Sequence, residues 1–506
     1  MTKKASLLFL FLVSPFLLFA KEIAVYHTSD THGFYFPRKV AGGKTVGGFA
    51  LIKGYINQFD TPYLLLDSGD FTSGTLEAKE SKGAVSVEIM NQLPYKATTI
   101  GNHEGDFGED QMLKLIKEFK FDVLAANVYD KKTNSLVEGV KPYNIYEVDG
   151  KRIAVIGIAK DPLPNSKRIK TSKGRKEIKK ALYELSSKPH DYTILIIHNS
   201  FADDKHEKEP STSNIIEGLD GIDLILGGHA HKIMNGIIAK ANTGINTGIN
   251  GKGVRFVESG SETKGLSHIV LDFDNETGKV KDIKIKYVTL NAGLIKPDQD
   301  IEKFVETKRA PGVDTAIGKA AEDIKLRSNK DDELDSPLGN LFADIILAQA
   351  PKADFALHNT GGVRVDILEG DITKRIITDA FPFPNKVMLV RVNGAFIKKL
   401  IAKSIHEKRS LFQFSKNVKI QYRWKHNRAE LVSVKVNGQE IDKDKMYQIA
   451  VNDYIANGGS EGYMFKKITD KKVITDKYLN EIFTEYVKAN PQGIKNTTAG
   501  RIKKVK

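Results

Sequence analysis

The chain of 506 residues carries 77 Lys and Arg against 63 Asp and Glu, twelve histidines and no cysteine. That length exceeds one ordinary core and implies two domains, while the lack of cysteine excludes disulfides, thiolate metal ligands and thiol nucleophiles. The excess of 14 positive charges suits a phosphorylated ligand, but the lysines form no basic stripe interleaved with aromatics, so nucleic-acid binding is not expected.

In chain order, Lys3 and Lys4 precede an uncharged apolar stretch, Leu7 to Phe19, that ends at Ala20. This is the pattern of a secretory signal peptide over residues 1–20, and it predicts a periplasmic or secreted protein. The stretch is short for a membrane span of about 20 residues, so no stable span is expected after cleavage. From residue 22 to about 295, short apolar runs alternate with polar, helix-compatible sequence, an α/β pattern. Thr243-Gly244-Ile245-Asn246 is followed at once by Thr247-Gly248-Ile249-Asn250, a small repeat read as a polar surface loop. Pro297 to Lys308 has helical spacing and stops at Ala310-Pro311-Gly312, a helix and a break. A second α/β pattern follows. Its predicted elements are a helix over Leu338 to Ala350 and strands over Val387 to Val392, Leu431 to Val436 and Met446 to Val451. Asn437-Gly438 predicts a hairpin turn, and Arg501 to Lys506 reads as a solvated basic terminus.

Five apolar runs in the first half end in metal-binding side chains. Asp30 and His32 follow the run at Ile23 to Val25, and Asp70 follows Tyr63 to Leu66. Asn102 and His103 follow Ala97 to Ile100, His198 follows Ile194 to Ile197, and His229 and His231 follow Ile222 to Leu226. In an open α/β sheet the carboxyl ends of the strands share one edge, where ligands bind, so these clusters should converge. Asp30-Thr31-His32 would place two ligands on one side of an extended strand end, because side chains alternate with period two. Asp70, with two oxygens, is the natural bridge between two ions. Asn102, His198 and His229 would complete one ion, and Asp30, His32 and His231 the other. All donors are nitrogen or oxygen, which suits Zn²⁺, Mn²⁺ or Fe²⁺. Two divalent ions about 3.5–4 Å apart can hold a hydroxide and clamp phosphoryl oxygens during in-line attack. His103 stands next to a ligand, with Asp106 three residues on. A carboxylate orienting one ring nitrogen leaves the other to stabilise phosphoryl charge or protonate the leaving group. The other seven histidines (His27, His190, His206, His268, His358, His406 and His426) receive no role.

Asp30-x-His32, Gly69-Asp70, Gly101-Asn102-His103-Glu104, His198 and Gly228-His229-Ala230-His231 together resemble the motifs of the calcineurin-like metallophosphoesterases. In the second half the quoted segments are Leu338-Gly339-Asn340-Leu341, Asn359-Thr360-Gly361-Gly362-Val363-Arg364, Phe381-Pro382-Phe383 and Asn452 to Gly459. They are similar to the C-terminal domain of the 5′-nucleotidase branch, which includes UDP-sugar hydrolases. The resemblance implies an α/β chain with an N-terminal four-layer αββα metallophosphoesterase domain over 21–296. A linker helix over 297–312 would lead to an α/β 5′-nucleotidase-type substrate domain over 313–506, with the domains rotating about the linker. It also implies a nucleotide or nucleotide-sugar substrate, Phe383 and Tyr454 stacking on the base, and Asn359 and Arg364 contacting base, ribose or phosphate. The chain departs from the family pattern at three places. Asp332 stands where a phosphate-binding Arg is common, with Arg327 nearby as a substitute. Ser460-Glu461 stands where a ribose-binding Asp is usual, and Gly105 where Phe is common.

The function these readings favour is a secreted dinuclear-metal 5′-nucleotidase, with UDP-sugar hydrolysis as a possible second activity. The alternatives weighed are a 2′,3′-cyclic-nucleotide phosphodiesterase with 3′-nucleotidase activity, a thiosulfohydrolase and a non-catalytic nucleotide-binding surface protein. Loss of a ligand or of the dyad would favour the last, and none is missing.

Overall fold

The computed structural model describes residues 21–40, 42–202, 210–238, 253–326, 334–407, 412–426, 428–496 and 500–505. The signal-peptide stretch, His206, the repeat at 243–250, Arg327 and Asp332 lie outside these residues, as do the side chains of Ser460 and Glu461. The chain forms two compact units. One comprises residues up to Thr31 with Ile52–Phe71 and Met90–Leu290. The other comprises His32–Leu51, Thr72–Ile89 and the residues from Asn291 onward.

The first unit is built on strands β1 (Lys21–Thr28), β2 (Tyr63–Asp67), β3 (Tyr95–Thr98), β4 (Asp122–Leu124), β5 (Val140–Lys141), β6 (Tyr143–Val148) and β7 (Lys151–Ile158). It continues with β8 (Tyr192–Ile197), β9 (Leu224–Gly227), β10 (Ile233–Ile238), β11 (Val254–Ser259), β12 (Gly265–Phe273) and β13 (Val280–Thr289). They form a seven-stranded sheet in the order β13-β12-β1-β2-β3-β4-β5 and a six-stranded sheet in the order β10-β11-β9-β8-β7-β6. From β1 to β5, and across β7, β8, β9 and β11, neighbouring strands run parallel.

Parallel strands are covered on both faces, which explains why they read as unbroken apolar runs. Ile23 to Tyr26 and Ile194 to Ile197 are wholly buried. One face of each sheet contributes to a shared core. Ile23, Val25, Leu64 and Leu66 come from the first, and Ile153, Val155, Ile194, Ile196 and Leu224 from the second. The alternate residues Ile156, Leu195, Ile197 and Ile225 of the second sheet pack against Ile178, Ala181 and Leu185 of the helix Arg175–Leu185.

In the second unit the sheet is β14 (Phe355–Asn359), β15 (Lys386–Asn393), β16 (Phe412–Phe414), β20 (Met446–Asn452) and β21 (Lys471–Tyr478), in the order β16-β14-β20-β15-β21. A smaller sheet has the order β19-β18-β17-β22, from β17 (Val418–Lys425), β18 (Arg428–Val436), β19 (Gln439–Glu440) and β22 (Ile502–Lys504). Period two divides the central strands between two cores. Leu357, Val390 and Ile449 face one, and Ala356, Leu389 and Ala450 face the other. The helix Pro337–Gln349 starts where Ser336 Oγ accepts the Gly339 amide at 3.0 Å, with Pro at its first position. The predicted hairpin is present, with Asn437 and Gly438 both at positive φ between β18 and β19.

The C-terminal residues correct their sequence reading. Arg501 is 2 % exposed, paired with Asp344 at 2.7 Å and bonded to the carbonyls of Asn340 and Phe414. Ile502–Lys504 pairs in parallel with β17. A basic segment reads as solvated until its partners, 157 residues away for Asp344, are known. Among the described residues no helix is long and apolar enough to cross a membrane.

Candidate metal centre

Seven residues meet at the carboxyl ends of strands from both sheets, not one. β1, β2 and β3 lead into Asp30 and His32, Asp70 and Asn102, whereas β8 and β9 lead into His198, His229 and His231. One group of ligand atoms unites Asp30, His32, Asp70 and His231; a second unites Asp70, His198 and His229. Asp70 belongs to both. Asn102 joins the second group, its Oδ1 lying 2.9 Å from Nδ1 of His229.

The backbone at these ligands is not extended. Asp30, His32, Asp70, His229 and His231 have φ of 52°, 48°, 57°, 84° and 57°, in the left-handed region that residues with a Cβ rarely occupy. The period-two account of Asp30 and His32 therefore fails, because each turns out of the strand by local strain. Such strain persists where the surroundings over-determine it, and it concentrates at functional sites.

Glycines make room for the carboxylates. A Cβ on Gly101 would lie 2.1 Å from Asp70 Oδ1, and one on Gly228 would meet Asp30 Oδ2 at 3.1 Å.

Buried polar groups hold the loops, and sequence reasoning gave them no role. The Glu104 carboxylate, 2 % exposed, accepts the amides of Gly101, Asp70 and Phe71 at 2.7, 3.0 and 3.0 Å, joining the loops after β2 and β3. Asp67 accepts the hydroxyls of Thr28 and Thr98 at 2.7 and 2.8 Å, drawing β1 and β3 to β2. His27, on β1, bridges Ser68 Oγ at 2.9 Å and Ser259 Oγ at 2.7 Å, linking the two sheets beneath the ligands. The only sequence signal was an acid directly after His103 and a polar residue one or two positions after each of the first two apolar runs.

His198 illustrates the electrostatics. Burial alone would lower its pKa, but the Asp70 carboxylate at 3.1 Å and Asp30 beyond it push it up to about 10. Asp30 is raised well above the carboxylate range, chiefly by burial. Nδ1 of His198 donates to the Ser68 carbonyl at 2.6 Å, which directs Nε2 at the carboxylates. That Nε2 is buried and faces Asp70 Oδ2 at 3.1 Å. A divalent cation would take the place of the proton on that nitrogen, and a buried imidazole facing two carboxylates is an all-nitrogen-and-oxygen donor set that fits one.

His103 and Asp106 lie beside this cluster. Nδ1 of His103 is 2.7 Å from Oδ2 of Asp106, and the His103 amide donates to Asp70 Oδ1 at 2.8 Å. The ring is part-exposed, at 21 %.

In the second unit, β15 runs antiparallel to β20 with Val387 opposite Asn452. The residues before the one strand and after the other therefore share an edge, where Asn385 Nδ2 donates to Asp453 Oδ1 at 2.8 Å. Tyr454, 48 % exposed, lines an open cavity of about 450 Å³ with Asn385, Asp453, Asn457, Gly458, Gly459 and Lys466. Its ring lies over Gly459, where an added Cβ would come within 2.3 Å of it. Arg364 stands 5.4 Å from the centre of the Phe383 ring. Asn359 is buried, its Oδ1 accepting from Asn452 Nδ2 at 2.9 Å. Phe383 is not among the residues lining the Tyr454 cavity.

The calcineurin-like phosphoesterase family model matches residues 23–232, and the 5′-nucleotidase C-terminal domain model matches residues 316–467. The chain belongs to the calcineurin-like phosphoesterases of the 5′-nucleotidase family. It is 25% identical over 561 residues to the NAD 5′-nucleotidase of Haemophilus influenzae, covering 93% of this chain and 91% of that protein. Among solved structures, a 5′-nucleotidase precursor from Thermus thermophilus superposes with a TM-score of 0.80 at 23% identity, over 96% of this chain and 99% of that one. The sulfate thiohydrolase SoxB of the same organism superposes with a TM-score of 0.75 at 16% identity, over 96% and 97%. Both likenesses are of fold. The chain is thus a mixed α/β hydrolase of the phosphoric monoester type, with an N-terminal metallophosphoesterase domain and a C-terminal 5′-nucleotidase domain.

Proposed function

We propose that this protein is an exported dinuclear-metal phosphohydrolase that releases phosphate from 5′-nucleotides. The observation that carries the reading is the shared carboxylate: two groups of ligand atoms have Asp70 in common, and the His103 amide is bonded to that same carboxylate. Asp30, His32, Asp70 and His231 would hold one divalent cation, and Asp70, Asn102, His198 and His229 the other. When bound, the pair would supply Lewis acidity that activates water and neutralises phosphoryl charge.

The remaining work falls to the chain's own side chains. Asp106 holds Nδ1 of His103, so Nε2 is the atom that faces substrate, and a proton there can neutralise a phosphoryl oxygen or pass to the leaving alkoxide. Glu104 keeps the loops of Asp70 and Asn102 in fixed relation, which limits the reorganisation needed on reaction. Residues 21–296 would thus perform the chemistry and 313–506 would hold the nucleoside. One face of Tyr454 is backed by Gly459 and the ring borders an open cavity, as a platform for a flat base requires. Phe383 is proposed as the second aromatic, with Arg364 beside it and Asn359 fixed by Asn452. The export reading rests on the Lys3–Ala20 pattern.

The stacking platform favours a nucleotide over thiosulfate-type substrates. The test is phosphate release from 5′-AMP and 3′-AMP by the Mn²⁺-supplied protein. Preference for 5′-AMP is the expected outcome. Preference for 3′-AMP would transfer the protein to the cyclic-nucleotide phosphodiesterase reading, and release from neither would remove the nucleotide assignment.

A further inference from the structure

The segment carrying His229 and His231 has an unusual path. It leaves β9 at Gly227 and enters β10 at Ile233, and β11 lies between those two strands. β11 runs parallel to β9, so the loop is draped over the carboxyl end of β11. Glu258 stands there, opposite Gly227 on one side and Met234 on the other. The loop supplies one imidazole to each ligand group, so its shape sets the spacing of both.

Both histidines occupy left-handed backbone, at φ 84° and 57°, a strained conformation that persists only where the surroundings enforce it. Two carboxylates provide the enforcement. In front, the His229 amide donates to both oxygens of Asp30, at 3.0 and 3.1 Å. Behind, the Lys232 amide donates to Glu258 Oε1 at 3.0 Å, and the Ala230 amide is bonded to the same carboxylate. Glu258 is fully buried, and its Oε2 has no hydrogen-bond partner. A carboxyl group kept in such a place, with two amides of a strained loop on it, has a specific task.

We propose that Glu258 is a positioning residue that holds the strained His229–His231 loop, and through it both metal sites, by accepting backbone amides. This rests on the metal reading above. Two substitutions separate reach from charge. Glu258→Gln keeps the length and an acceptor oxygen but removes the charge. Glu258→Asp keeps the charge but withdraws the carboxylate by about 1.5 Å, too far to hold the Lys232 amide.

The experiment is a Mn²⁺ titration of the metal-free mature chain and both variants by calorimetry, followed by kinetics at rising Mn²⁺. The wild type should bind two ions, and Glu258→Gln should match its Kd within about threefold. Glu258→Asp should bind both ions about 10–100-fold more weakly, with kcat recovering at high Mn²⁺ and KM for substrate unchanged. Tight binding by Glu258→Asp, or a loss in Glu258→Gln as large as in Glu258→Asp, overturns the proposal. Failure of the wild type to bind Mn²⁺ would instead remove the metal reading beneath it.

Discussion

Oδ2 of Asp106 lies 2.7 Å from Nδ1 of His103, and the amide of His103 lies 2.8 Å from Oδ1 of Asp70. The candidate proton donor and the carboxylate shared by the two candidate ligand groups are therefore mechanically joined. His103→Ala should leave metal stoichiometry unchanged and lower kcat by about 10²–10⁴-fold. Asp106→Asn should cost less, since the ring loses its orientation but stays in place. Elemental analysis and steady-state kinetics on the same preparations check this. An equal loss of metal and turnover would contradict the assignment.

Asp70 serves both ligand groups, so Asp70→Ala should abolish tight binding of two ions rather than of one. Gly101→Ala should imitate it without touching a ligand, because the new methyl would lie 2.1 Å from Asp70 Oδ1. Mn²⁺ stoichiometry, measured beside circular dichroism to verify the fold, distinguishes a displaced carboxylate from a collapsed domain.

Tyr454 is predicted to contribute stacking of about 1–3 kcal/mol. Tyr454→Ala should raise KM for 5′-nucleotides by roughly one to two orders of magnitude. Hydrolysis of a small chromogenic phosphate ester should be little affected. An equal loss on both substrates would sink the platform.

Burial lowers the His27 and His358 imidazoles to about 3 from an ordinary value of 6.5. In the unfolded chain both take up a proton below about pH 6.5, whereas in the folded chain they resist it until near pH 3. The stability they contribute is complete above about pH 6.5 and is lost as pH falls through the interval below it. Urea melts from about pH 7 down to pH 4 should show this decline. His358→Gln, remote from the metal ligands in sequence, should reduce the slope by about one proton.

Arg501 is buried against Asp344 and the carbonyls of Asn340 and Phe414. Arg501→Met should therefore destabilise the chain by about 1–3 kcal/mol, because two buried carbonyls and the half-buried Asp344 carboxylate lose their donor. Urea unfolding measures it. A loss of only a few tenths would return this segment to the status of a solvated end.

By itself the sequence named seven candidate ligands and a candidate dyad, residues that the structure brings together. A run such as Ile194 to Ile197 announces a buried parallel strand, and parallel strands deliver their following residues to a common edge. It also determined the helix behind Ser336-Pro337 and the turn at Asn437-Gly438, since capping and turn chemistry are local. Tertiary structure alone decided that the candidate ligands come from two stacked sheets, because nothing local states which sheet a strand joins. The left-handed backbone at Asp30 and His229 was equally invisible, as it is a cost that only surrounding carboxylates and glycines enforce. Glu104, His27, Glu258 and Arg501 belong to the same class. Each is an ordinary polar residue in sequence, and its role appears only once burial leaves it a single set of distant partners.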